Sequence, residues 1–180
     1  MGRTKARKVL QSDLSEKGIR NLADTIKQYA IDVERANEIF VNRLAEVGFD
    51  RASARIVESL GSIDRDKPIG DLQIISDESG QVTSVQLQFT GEQALFIEFG
   101  SGIKYNKNNH HPLEKKFGYG VGTYPNQTHA KNENGWNYMG NDGKFWHSKG
   151  TKASMPMYYA GVDMRQKIIQ IAKEVYSSVI

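Results

Sequence analysis

Residues 94–102 read Ala94-Leu95-Phe96-Ile97-Glu98-Phe99-Gly100-Ser101-Gly102, the most apolar run of a 180-residue chain. As a strand, this run would extend an antiparallel sheet formed just before it. As a helix, it would close that sheet and redirect the chain. Thr90-Gly91-Glu92-Gln93, immediately upstream, has the Thr-x-x-Gln form of a capping box, and Gly100 is a natural helix stop. The pattern predicts a helix of about two turns ending at Gly100. It leaves open whether Glu98 is an acid in an apolar pocket or a structural carboxylate, and whether Gly-Ser-Gly is a phosphate loop or a turn.

Upstream, Asp13-Leu14-Ser15-Glu16 matches a capping box, here Asp-x-x-Glu. Apolar residues then recur at Ile19, Leu22, Ile26, Tyr29, Val33, Ala36, Phe40, Leu44 and Val47, one stripe of a long helix. Gly48 sits where a left-handed C-cap belongs, and a second, shorter helix is expected from Arg51 to Leu60, stopped at Gly61. The period then changes to two. Strands are expected at Leu72–Ser76 and Val82–Phe89 around a turn at Glu78-Ser79-Gly80-Gln81. Thr83, Val85, Leu87 and Phe89 alternate with Ser84, Gln86 and Gln88, as in a half-buried antiparallel strand.

Downstream, residues 101–153 hold all four His, both Trp, four of eight Tyr, eight of seventeen Gly and eight Asn. A stretch this long without strong periodicity points to binding or assembly. Trp136-Asn137-Tyr138-Met139 and Lys144-Phe145-Trp146-His147 flank Gly140-Asn141-Asp142-Gly143 as a β-hairpin. A closing amphipathic helix is expected after Pro156, with Met157, Gly161, Met164, Ile168, Ile171, Val175 and Val179 on its apolar face. The expected class is α+β: long N-terminal and C-terminal helices packed on a small antiparallel sheet, with a long irregular loop and hairpin inserted. Residues 1–12 form a basic arm and 13–180 a single domain.

The absence of cysteine removes disulfides, thiolate zinc sites and cysteine nucleophiles together. No segment is apolar enough for a membrane span, and no apolar signal core follows the basic N-terminus, so synthesis in the cytoplasm is expected. The net charge of +3 is concentrated in Arg3, Lys5, Arg7 and Lys8. These could face DNA or form a solvated terminus.

Four chemical readings compete. Clustered histidines raise a metal-dependent hydrolase or nuclease using His110, His111, Glu98 or Glu114, but adjacent His110 and His111 point apart in extended chain, and His129 and His147 are isolated. Gly100-Ser-Gly102-Ile-Lys104 and Gly118-Tyr-Gly120-Val-Gly122-Thr123 share only their composition with phosphate loops, since no helical pattern follows either. Glu98 as general acid needs a second positioned group. A carboxylate accepting hydrogen bonds from the adjacent loop is the simpler role. The aromatic residues Tyr105, Tyr119, Tyr124, Trp136, Tyr138 and Trp146 could stack on sugars or bases. They equally suit a protein interface, which is the preferred reading.

The order of these pieces, with the segment A-x-x-x-E-F-G-[ST]-G at its centre, resembles the neck and tail-component family of lambdoid phages. Ala94, Glu98, Phe99, Gly100, Ser101 and Gly102 carry that likeness. Met155-Pro156-Met157-Tyr158-Tyr159-Ala160 keeps Pro156 and Ala160 of the family's closing motif, while its Phe and second Pro are replaced. The resemblance implies a non-catalytic virion protein without cofactor or metal, assembled in the host cytoplasm into a ring that completes the tail and joins it to the head. A hexamer is the first expectation. Its partners would be copies of itself, adjacent neck, tail-terminator or tail-tube proteins, and DNA in the channel. Glu98, Phe99, Gly100, Gly102, Trp136, Tyr138, Trp146 and Pro156 are the expected structural and assembly residues.

Overall fold

The computed structural model describes residues 11–61, 69–76, 84–125, 127–140 and 142–179. The basic arm with Arg3, Lys5, Arg7 and Lys8 lies outside the described residues. So do the expected turn at 78–81, the strand residues Val82 and Thr83, and Asn141 of the hairpin turn. In chain order come α1 (Glu16–Ser59), β1 (Asp71–Ser76), β2 (Val85–Thr90), α2 (Ala94–Phe99), α3 (Ile103–Asn106), α4 (Glu114–Phe117), β3 (Trp136–Met139), β4 (Phe145–Ser148) and α5 (Pro156–Val179). The class is α+β, with long N- and C-terminal helices and two antiparallel two-stranded sheets, β1–β2 and β3–β4.

Helix α1 is continuous, where the sequence pattern predicts two helices broken at Gly48. Gly48 lies inside the helix and is buried. A Cβ there would stand 2.8 Å from Met164 Sδ and 3.2 Å from Leu87 Cδ2. The glycine is therefore where α1 lets α5 and the sheet approach closely, and it caps nothing. At the other end the cap is Ser15 instead of Asp13. The Ser15 hydroxyl accepts from Gly18 N–H at 3.0 Å, and Asp13 in turn accepts from Ser15 N–H at 2.9 Å. The hydrogen bond from the Ser15 hydroxyl is the main reason the Asp13 carboxyl is held below its usual range.

Helix α5 runs antiparallel along the C-terminal half of α1. Ala36 is buried with Ile171 and Val175, flanked by Phe40, Leu44, Tyr176 and Val179. Each fully buried aliphatic side chain there is worth about 1.5–3 kcal/mol. Further along, Arg51 Nε stands 3.4 Å from Asp163 Oδ2. Arg55 Nε donates to Ser154 O at 2.7 Å, while its guanidinium lies 4.2 Å above the Tyr159 ring. The apolar stripe expected on α5 is broken at Ile168, which is 39% exposed, beside an exposed Ile169.

Strand β2 keeps the expected alternation, with Val85, Leu87 and Phe89 half-buried and Gln86 and Gln88 exposed. Leu72 pairs with Phe89 and Ile74 with Leu87, so the inner row of the ribbon faces α1 at Gly48. The region 101–153 is more organised than a loop. Besides the hairpin it contains the single turns α3 and α4, and it buries Asn106, His111, Tyr124, Ala130, Ser148 and Thr151.

Candidate functional site

Residues 94–99 form a helix, as the stop at Gly100 predicts, but not through the expected cap. Thr90 is the last residue of β2, paired with Asp71, and the N-cap position is Gln93, whose side chain makes no capping bond. Helix α2 turns Ala94, Ile97, Glu98 and Phe99 inward. Ile97 is fully buried, and its carbonyl accepts from Ser154 N–H at 2.9 Å and Met155 N–H at 3.3 Å. This contact brings the segment before α5 alongside α2.

Glu98 then completes the junction. The start of α5 has no capping side chain of its own: Met155 precedes Pro156 and holds a positive φ of 56°. Pro156 has no N–H, and Tyr159 N–H already donates to Met155 O at 3.1 Å. The two remaining donors, Met157 N–H and Tyr158 N–H, meet Glu98 Oε2 at 2.8 Å and Oε1 at 2.9 Å. Glu98 thus acts as an N-cap supplied from a distant helix, its charge favourable at the positive end of α5.

His111 closes the carboxylate's other side. It is 3% exposed. Nε2 lies 2.9 Å from Glu98 Oε1, and Nδ1 accepts from Leu113 N–H at 3.0 Å. That acceptor role fixes the Nε2–H tautomer, which donates to Glu98. Both ring nitrogens are therefore engaged within the chain, one by the Glu98 carboxylate and one by the Leu113 backbone. The ring packs on Phe99 at 4.3 Å and on Tyr158 at 5.3 Å. Phe99 also meets Phe117 and Tyr119, and Tyr119 stacks on Tyr124. The Tyr124 phenol donates to Leu95 O at 3.0 Å. Burial, then the neighbouring Tyr119 and Glu98 charges, push its ionisation well above the usual phenol range, so it remains a donor. An open, largely apolar hollow of about 420 Å³ lies against this cluster, between Phe89, Leu95, Phe117 and Met157.

Gly100-Ser101-Gly102 pins the two ends of the 101–153 region together. Ser101 and Thr151 exchange backbone hydrogen bonds at 2.9 and 2.8 Å, and Asn106 stitches across them. The Asn106 amide donates to Gly102 O and Thr151 O at 2.9 Å and accepts from Ala153 N–H at 2.8 Å. Gly100 has φ 79°, and a Cβ on it would fall 2.7 Å from the Asn106 amide. Contrary to expectation a single helical turn, α3, does follow Gly102, but the N–H groups of Ser101 and Ile103 already donate to Thr151 O and Ala130 O. The loop binds its own chain where a phosphate loop would offer donors to an anion.

The chain matches no protein-family model, no curated protein and no solved structure.

The remaining sequence candidates separate. His110 faces outward, 3.3 Å from Glu114 Oε2, while its neighbour His111 faces inward to Glu98. His147 is held by Asn137 Oδ1 and Asn134 O, both at 2.8 Å. Among the described residues, no three His, Asp or Glu side chains converge as metal ligands. The aromatic set divides, with Tyr105 standing apart on α3, 37% exposed. Tyr119 and Tyr124 belong to the cluster around α2, and half-buried Trp136 packs beneath Gly102. Tyr138 and Trp146 face each other across the β3–β4 ribbon. Trp146 Nε1 donates to Asp142 Oδ1 at 3.1 Å; this bond first, then one from Lys144 N–H, holds the Asp142 carboxyl below its usual range. At the tip of that ribbon the paired Met139 and Phe145 are 62% and 78% exposed. Sequence reading missed Asn106, Arg55 and these two tip residues. The one available signal was negative: a helix beginning at Pro156 with Met at its N-cap position needs its cap from elsewhere.

Proposed function

We propose that the protein is a structural, non-catalytic component of a phage neck or tail top, forming a ring that completes the tail and joins it to the head. One observation carries the reading. The two motifs behind the phage resemblance, separated by some sixty residues, are the two halves of one contact: Glu98 of the first holds the N–H groups of Met157 and Tyr158 in the second. The contact gives the two motifs of the resemblance one shared structural task. Gly100, Ser101 and Gly102 supply the turn, and Pro156 starts the helix that the carboxylate caps.

Assembly is supported by the exposed apolar tip of the β3–β4 ribbon, whose Met139 and Phe145 resemble interface anchors more than a sugar-stacking platform. A head-to-tail ring needs two different patches on each subunit. The ribbon tip is one, with sixfold closure the expected number. The basic residues Arg3, Lys5, Arg7 and Lys8 are proposed to face DNA in the channel. Labelled protein in purified particles, imaged by negative stain, is expected at the head–tail junction. Recovery of the protein only as a free species, absent from particles, would sink the reading.

A further inference from the structure

Positive charge is spread unevenly along the chain. Residues 101–153 carry eight Lys and no Arg against Glu114, Glu133 and Asp142, whereas acids outnumber Lys and Arg in the rest of the sequence. Each of those three acids already meets a base: Glu114 stands 3.3 Å from His110 Nδ1, Glu133 3.0 Å from Lys107 Nζ and Asp142 3.9 Å from Lys144 Nζ. Lys104, Lys131 and Lys149 are exposed and form no ion pair among the described residues.

The sequence scatters these three lysines, but backbone contacts gather them. Ile103 N–H donates to Ala130 O at 2.8 Å, which sets Lys104 beside Lys131. A Cβ on Gly102 would stand 3.1 Å from Lys149 O, and the Ser101–Thr151 bridge holds that approach closed. Asn106 fastens the same knot through Gly102 O and Thr151 O, so the cations stand on a fixed base and lose less freedom on binding than a free arm does. The Glu133 carboxyl is held below its usual range, first by the hydrogen bond from Lys107 and then by its charge, with Lys104 adding to both. Gathering like charges with few anions between them opposes folding, and a polyanion relieves that repulsion. Lysine presents a point charge that suits phosphates spaced along a backbone. A carboxylate-bearing protein is gripped best by the Arg fork, which this region lacks.

We infer that the knot joining Ser101 to Thr151 is a sequence-independent docking surface for the phosphate backbone of duplex DNA, with Lys104, Lys131 and Lys149 as its contacts. This surface is separate from the basic arm at Arg3, Lys5, Arg7 and Lys8, and binding to it does not depend on the neck reading.

Titration of the full-length chain with a fluorescent random-sequence DNA duplex, repeated over a range of salt, tests the surface. Lys104→Gln, Lys131→Gln and Lys149→Gln combined should weaken binding at least ~10-fold at low salt. The same triple variant should lower the slope of log affinity against log salt by about 2–3, near one counterion per lysine. Lys17→Gln, Lys167→Gln and Lys173→Gln combined remove the same charge from exposed positions on α1 and α5 and should leave affinity and slope near those of the parent. Both triple variants alter exposed side chains only, so their melts by circular dichroism should match the parent. Absence of DNA binding at low salt overturns the proposal, as does an equal loss in the two triple variants. Loss of binding when only Arg3, Lys5, Arg7 and Lys8 are changed to Ser also overturns it. Competition by polyglutamate as effective as by unlabelled duplex would overturn it in favour of an acidic protein partner.

Discussion

At the scale of single residues, Glu98 shows how a carboxylate in an apolar run is held by donors from a distant helix and a buried ring. Its oxygens receive three donors: two N–H groups of α5 and the His111 ring. Removing them leaves the start of a 24-residue helix with unsatisfied donors beside a buried ring. Loss of a cap costs ~1 kcal/mol and loss of charge-assisted bonds ~1.5–3 kcal/mol each before relaxation. Glu98→Ala is therefore expected to destabilise by about 2–4 kcal/mol, lowering Tm by roughly 5–15 °C in a chain of this size. Glu98→Gln keeps one acceptor oxygen but turns an amide N–H₂ toward a donor, so its melt should fall between. Thermal melts by circular dichroism decide the matter; a Glu98→Ala melt superimposable on the parent would remove the capping role. The partners of Glu98 could not be read from sequence. A glutamate beside Phe99 looks the same whether its donors lie in the next turn or sixty residues away, and only the missing cap at Pro156 pointed outward.

At the scale of elements, the strand alternation and the helical stripes were legible because burial on one face imposes a period the eye can count. The differences arise where one residue type serves two physical ends. Gly48 reads as a helix stop, since glycine readily takes a left-handed C-cap, but its lack of a side chain is used for close packing instead. Ile168 fits the α5 period yet is exposed, because period reports direction and not whether a neighbour is present there. The region 101–153 was legible as a hairpin within irregular chain. Its internal order was not, because Asn106 and the Ser101–Thr151 pair act over long separations without periodicity. The packing account of Gly48 makes a definite prediction. Gly48→Ala should be nearly neutral, as about 1 kcal/mol of helix propensity offsets a contact with the flexible end of Met164. Gly48→Leu should cost about 2–3 kcal/mol by overpacking. Adding Met164→Ala should recover part of that, with a coupling of about 0.5–3 kcal/mol in a double-mutant cycle from urea melts. A strictly additive cycle would place the source of the cost elsewhere than Met164.

At the scale of the whole molecule, the buried contacts and the exposed apolar tip of the β3–β4 ribbon lie on different elements. Helices α1 and α5, the β1–β2 ribbon and the Glu98 junction share the buried contacts, whereas the β3–β4 ribbon carries its most exposed apolar residues at its tip. That division sets up a test in which stability and assembly move independently. Met139 and Phe145 lie opposite each other in the ribbon and are mostly exposed. Replacing both with Ser removes apolar surface that little of the monomer covers, so the change in folding stability should stay within about 0.5 kcal/mol. If the tip is an anchor between subunits or neck proteins, the same pair should lose at least about 2 kcal/mol of association, a thirtyfold or greater weakening. The expected outcome is a double variant that melts like the parent but no longer enters particles in a complementation assay. A variant that enters particles normally would move the assembly surface away from the ribbon. One that fails to fold would instead make the tip part of the core, against its exposure.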